Sequence, residues 1–236
     1  MKPWRTGALL LALALPLRAE VHAPDYREFW LWAGVSPPAD TLRQARVLYL
    51  LQGEVSGRGP RAQLSPQGVQ PVPLAAPEVW LAWRVQRLDW ADNVLPLMLN
   101  RLQRWRRLGT AVTGLQIDFD ARTRQLAGYA GFLRQLKAQL PPDCRLSITG
   151  LLDWTQTGDV ATLNGLHGIV DEIVVQTYRG RHTEPEHARY LQSLTGLTLP
   201  FKIGLVQGGD WDARWQAQLA RNPQYRGEVV FLLNPR

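Results

Sequence analysis

The sequence predicts one α/β domain folded as a (β/α)8 barrel of the TIM type, and three observations lead there. Eight short apolar segments are bounded by turn residues. Helical periodicity lies between many of them, which is the alternation of a parallel barrel. The 236 residues, 45% hydrophobic and 20% charged, are enough to bury one real core and exclude disordered, collagen-like and coiled-coil classes. An open doubly wound sheet is the runner-up. It is disfavoured because no glycine-rich phosphate loop follows the first strand.

The chain opens like a secretory signal: basic Met1 to Arg5, an apolar run from Gly7 to Leu17, then the small residue Ala19. Cleavage is expected after Ala19, or as late as Ala23, leaving a single domain over 20–236 in the periplasm or outside the cell. The strand candidates then follow as Phe29–Val35, Arg46–Val55, Glu78–Val85, Thr113–Asp120, Cys144–Leu151, Glu172–Tyr178, Phe201–Gln207 and Gly227–Asn234. Most are rich in Val, Ile, Leu or aromatics without long polar alternation, as suits strands covered on both faces. Leu95, Met98, Leu99, Leu102 and Trp105 recur at helical spacing, and so do Leu126, Tyr129, Ala130, Leu133, Leu136 and Leu140. Ala188, Leu191 and Leu194 do likewise, and Pro141-Pro142 stops the helix before the fifth strand. The barrel is expected to be degenerate. Five prolines and three glycines between Ser56 and Pro77 leave no readable helix after the second strand, and none follows the eighth.

Several function classes drop out on composition. A lone cysteine, Cys144, excludes a disulfide framework and a four-cysteine zinc site. The four histidines show no metal-ligand spacing, so neither a metal nor another cofactor is expected. No apolar run reaches the roughly eighteen residues of a spanning helix, so the mature protein is expected to have no membrane span. The net charge of +7 falls by three, to +4, once Lys2, Arg5 and Arg18 are removed with the signal. Arg101, Arg104, Arg106 and Arg107 cluster on one predicted helix, where a solvated face is a better reading than a nucleic-acid site. The sequence does not indicate an oligomeric state.

In a barrel of this kind the site is built at the carboxyl ends of the strands. On the fourth strand, Gln116, Asp118 and Asp120 alternate with Leu115, Ile117 and Phe119. The apolar set should face the helices, which turns the glutamine and both aspartates into the mouth. Carboxylates two apart on a strand lie roughly 6.5–7 Å apart. That is close enough to raise the pKa of one, as a general acid requires. Capping and arginine pairing are the structural alternatives. Gln176 and Tyr178 share a face at the end of the sixth strand, where a phenol can donate to a substrate carbonyl or close the core. Further polar ends include Gln52, Glu54, Arg84, Ser147, Thr149, Gln207 and Asn234. Of the ten tryptophans, Trp30, Trp32, Trp83, Trp154 and Trp211 fall near strand ends. Indole faces suit sugar rings there, although any single one is more often packing than a platform.

These residues carry two resemblances. Thr113 to Asp120 is similar to the fourth-strand signature Asp-Gly-x-Asp-x-Asp-x-Glu of glycoside hydrolase family eighteen, the chitinase-like barrels. Val175-Gln176-Thr177-Tyr178 resembles that family's sixth-strand motif. Of the positions that carry the chemistry, only Asp118 and Tyr178 match by residue type: Asp120 stands at the acid glutamate, Gln116 at the second aspartate and Thr113 at the first. The closer resemblance is to the bacterial domain of unknown function family 3142. Gln116 to Ala121, Leu126, Tyr129, Leu140-Pro141, Leu146 to Thr149 and Trp154 look like its central block. It implies an exported barrel related to glycosidases.

Together they imply a protein that binds a polysaccharide, with N-acetyl groups as one option, and hydrolyses it if Asp120 serves as the general acid. In that scheme Asp118 orients the acetamido group and Tyr178 holds its carbonyl, a substrate-assisted route. Gln116, Gln176, Trp32, Trp83, Thr149, Trp154, Gln207 and Asn234 are the expected substrate contacts. The alternative is a non-catalytic carbohydrate-binding barrel, which the shorter acid at position 120 favours. A Mg²⁺ or Mn²⁺ site on Asp118 and Asp120 is a distant third.

Overall fold

The computed structural model describes residues 18–119, 125–155 and 160–234. Eight parallel strands close into a ring: β1 Glu28–Leu31, β2 Val47–Ser56, β3 Glu78–Val85, β4 Val112–Phe119, β5 Arg145–Leu151, β6 Glu172–Gln176, β7 Phe201–Val206 and β8 Tyr225–Phe231. Each pairs with its neighbours in sequence, and β8 returns to β1 through only two residue pairs, Val230 with Phe29 and Phe231 with Trp30. This is the expected closed barrel, with strand ends shifted by a few residues. The largest shifts are at β1, which stops at Leu31 rather than Val35, and β8, which stops at Phe231 rather than Asn234; β6 stops at Gln176. Tyr178 instead opens a small hairpin, Tyr178–Arg179 against His182–Thr183.

The strand sequences produce two cores because alternate residues face opposite ways. Leu48, Leu81, Trp83, Leu115, Ile117 and Ile203 pack outward against the helices. Trp30, Tyr49, Trp80, Val174 and Val229 fill the inside of the ring. Two helices of 14 residues do most of the covering. Val94–Arg107 buries Val94, Met98, Leu102 and Trp105, whereas Leu126–Gln139 buries Leu126, Tyr129, Ala130, Leu133 and Leu136. The other helices, Ala39–Gln44, Val160–Asn164, His187–Leu191 and Ala213–Leu219, run five to seven residues.

The proline-rich stretch after β2 forms no helix. It supplies a short strand, Gln63–Pro66, antiparallel to the upper half of β2. That half, Gly53 to Ser56, extends beyond the lower half, Val47 to Leu50, which pairs with β1. The sheet therefore rises as a wall on this side of the mouth.

The ring has a filled interior. Trp30 Nε1 donates to Gln116 Oε1 (2.5 Å), Gln116 Nε2 to Ser147 Oγ (3.0 Å) and Ser147 Oγ to Glu172 Oε1 (2.9 Å). Tyr49 OH donates to the same Glu172 oxygen (2.7 Å) and accepts from Lys202 Nζ (3.0 Å). Lys202 also donates to Glu28 Oε2 (2.6 Å) and lies 3.4 Å from Glu172 Oε2. Burial pulls the Lys202 ammonium down, but Glu172 and Glu28 outweigh it and hold the group above the ordinary lysine value. Burial lifts the Glu28 carboxyl despite the opposing lysine. Gly204 makes room for the upper part of this packing. A Cβ there would lie 2.7 Å from Trp30 Cζ3, so only glycine lets the indole cross the ring.

Candidate functional site

Above this sealed interior the inward residues at the carboxyl ends form the mouth. Asp118, near the top of β4, is 8% exposed. Its Oδ1 accepts from Thr149 Oγ1 of β5 at 2.7 Å. Arg84 lies abreast of Asp118 in the β3–β4 register, and its guanidinium sits 5.6 Å from the ring centre of Trp32. Trp32, one residue past β1, meets Phe231 edge-on at 5.4 Å. Phe231 in turn stacks on Tyr178 at 5.6 Å and 24°. A run of three part-exposed rings, Trp32, Phe231 and Tyr178, thus crosses the mouth where β1, β8 and the end of β6 converge. Gln176, half-buried at the end of β6, has the same inward orientation as Val174.

The structure therefore gathers Asp118, Thr149, Gln176, Tyr178 and Trp32 from the expected set. Asp120 lies outside the described residues. Gln116 faces inward as the alternation predicts, but one layer lower, with its amide engaged by Trp30 and Ser147 and no exposed surface. Trp83 and Trp154 are elsewhere. Trp83 points outward, abreast of the outward Ile117, and its Nε1 has no hydrogen-bond partner among the described residues. Trp154 is fully buried beside Tyr129 in the same outer layer.

Gln207 and Asn234 stand at the rim over β7 and β8. Gln207 Oε1 accepts from the Leu233 amide (3.0 Å). Asn234 accepts from the Ser36 amide (2.9 Å) and donates to the Gly34 carbonyl (2.6 Å), tying the β1 loop down. Both line a polar cavity of about 520 Å³ shared with Glu20, His22, Arg181 and His182.

Two mouth residues stand outside the expected contact set. Phe231 sits on the inward face of β8 two residues after Val229, which sequence alternation already implies. Arg84 was legible as a polar strand end, but its place over Trp32 depends on how β1 and β3 flank β2. Among the described residues no group of three or more His, Cys, Asp or Glu side chains could hold a metal ion. None of their helices is long and apolar enough to cross a membrane.

Residues 75–186 match the family described as Domain of unknown function (DUF3142). The match begins before β3, ends beyond the small hairpin and includes the block from Gln116 to Trp154 that carries the sequence resemblance. No curated protein matches the chain. Among solved structures, a xylanase-A-amylase inhibitor protein is similar at a TM-score of 0.56 and 11% identity, over 87% of this chain and 93% of its own. That likeness concerns the fold and agrees with the barrel built above. The Bacillus cereus spore cortex-lytic enzyme SleL aligns at a TM-score of 0.44 and 15% identity, over 82% of this chain and 56% of its own.

Proposed function

We propose that the protein is an exported, glycosidase-like barrel that binds a polysaccharide in its mouth. The observation that carries this reading is the aromatic run Trp32–Phe231–Tyr178 set beside the Asp118–Thr149 pair. Flat rings offer apolar faces to sugar C–H bonds, while a carboxylate and neighbouring hydroxyls bond to sugar hydroxyls or an acetamido N–H. Thr149 fixes Asp118, so the carboxylate meets a ligand already oriented. In the hydrolytic form of the reading, Asp120 protonates the leaving oxygen, Asp118 orients the acetamido group and Tyr178 holds its carbonyl. The second form is a binding barrel without turnover. It is favoured by the acid at position 120 being one methylene shorter than the glutamate of the resembling family. A barrel of similar fold also exists as an inhibitor protein.

One experiment separates these forms. The purified protein is screened against a glycan panel and every hit is tested for turnover. For an enzyme, Asp120→Asn abolishes turnover, a loss of about 10²–10⁴ or more, and keeps affinity within about tenfold. Asp120→Glu tests whether a longer acid restores the reaction. If neither the native protein nor the Glu variant turns over a glycan that Trp32→Ala weakens, the binding form stands. If no glycan binds, the whole reading falls.

A further inference from the structure

Strict alternation along β2 would hide Glu54. Tyr49 faces the interior, so positions 51 and 53 would follow it inward and position 54 would face the helices. The structure does otherwise, because the register between β2 and β3 slips by one residue between Leu51 and Gly53. Gln52 faces outward, where its Oε1 accepts from Trp105 Nε1 (2.7 Å) and Arg101 Nε (2.8 Å). Gly53 stays on that side too, since a Cβ there would lie 3.0 Å from the outward Trp83. Glu54 then comes round to lie abreast of Arg84, and Val55 returns to the outer core beside Val85. Bulges of this kind commonly re-aim one side chain.

The side chain re-aimed here joins a line of three ionisable groups on neighbouring strands, Glu54, Arg84 and Asp118, all on the inward face. Glu54 is only half-buried, on the wall raised by the strand Gln63–Pro66, and its own register partner there is Ser65. Its two oxygens accept from Gln86 Nε2 and, at 3.4 Å, from Gln67 Nε2. Both glutamines are exposed. A carboxylate flanked by two exposed amides can accept from a pair of neighbouring hydroxyls while the amides donate and accept around them. Two strand spacings separate Glu54 from Asp118 at the backbone, roughly 9.6 Å, further than one pyranose ring spans.

We propose that Glu54, with Gln86 and Gln67, is a hydroxyl-binding subsite for a second sugar residue of an oligosaccharide whose first residue lies on Trp32 beside Asp118. This rests on the carbohydrate reading of the mouth and adds a direction to it: the ligand runs from the floor of the mouth up the β2–β3 wall.

The test measures binding of N-acetylglucosamine and its β-1,4-linked trimer, with glucose and cellotriose as the pair lacking acetamido groups. The proteins are wild type, Glu54→Gln, Gln86→Leu and Trp32→Ala, each with its melting temperature. The expected result is that Glu54→Gln weakens a trimer about tenfold or more, leaves the monosaccharide unchanged and does not shift the melting temperature. Gln86→Leu should weaken the trimer in the same selective way. The subsite is overturned if the trimer binds wild type, Trp32→Ala weakens it, and the Glu54 and Gln86 variants do not. It is equally overturned if their effect falls on both ligand sizes together with a lower melting temperature, which marks Glu54 as a tie for the wall. If none of the four sugars binds wild type, the carbohydrate reading fails and the subsite with it.

Discussion

Replacing Lys202 by methionine tests whether the barrel floor is held by charge. Lys202 is 6% exposed and is the cation shared by Glu28 and Glu172, the latter 4% exposed. Methionine fills a similar volume but leaves two carboxylates without their counterion. Breaking a buried pair from one side costs about 3–5 kcal/mol. For a domain of this size that is a fall in melting temperature of roughly 6–20 °C. The pH dependence follows from the directions of the shifts. Burial already raises Glu28 in the wild type, and losing the lysine that opposes this raises it further. A raised folded-state pKa adds stability below the ordinary glutamate value, about 4.3, and that stability is lost as pH rises through the raised value. The variant's deficit should therefore be smallest near pH 4 and grow toward neutrality. The wild-type lysine contributes below its ordinary value, about 10.4, and its contribution is lost as pH rises through its raised value. Thermal unfolding followed by circular dichroism from pH 4 to 8 measures this. Adding Glu28→Gln and Glu172→Gln should recover most of the loss. A Lys202→Met protein melting within about 2 °C of wild type throughout would refute the reasoning.

Three further outcomes are expected. Gly204→Ala pushes a Cβ against a Trp30 indole that is fixed by Gln116, so it should cost about 1–3 kcal/mol in urea denaturation; an unchanged midpoint would show that the indole can move. If the protein is exported, its mature chain should begin at Glu20, because Val21 is 1% exposed and exchanges backbone hydrogen bonds with Gly208 and Gly209. Mass spectrometry finding Pro24 first would contradict that. Burial pushes the Cys144 thiol up, so native protein should resist thiol labelling until it unfolds, and rapid stoichiometric labelling would argue against its enclosure.

The barrel was legible because strands covered on both faces write themselves as apolar runs, and β2, β3, β5 and β7 lie within a residue of where those runs put them. Asp118 and Thr149 were legible for the same reason, since alternation with Leu115 and Ile117 on β4, and with Leu146 and Ile148 on β5, fixes their sides. The tryptophans were less so. Trp83 neighbours Arg84 at a strand end, and proximity alone does not say which of the two faces the mouth; alternation with the outward Leu81 does. Trp30 satisfies its indole N–H inside the ring, against a glutamine 86 positions away, which no local pattern encodes. The turn of Glu54 was hidden for a different reason. A one-residue register slip in β2 leaves composition and periodicity almost unchanged while reversing the face of the residues beyond it.

The seam between β8 and β1 has a consequence for how the chain acquires its fold. Val230 and Phe29 stand about 200 positions apart, whereas Phe29 and Leu48, its partner on β2, are only about 19 apart. The entropy of bringing chain ends together grows with the logarithm of their separation, so the last joint costs about 2 kcal/mol more than the first. It returns just two rungs of ladder for that expense. Strand addition can run along the sequence from β1 to β7, but annealing of the two ends must wait for the final strand and is the slow, non-local step. The same joint is the natural place for the native ring to breathe. Amides of β8 should exchange with solvent ahead of those in β4 and β5, and the aromatic run laid across that seam acts as its clasp.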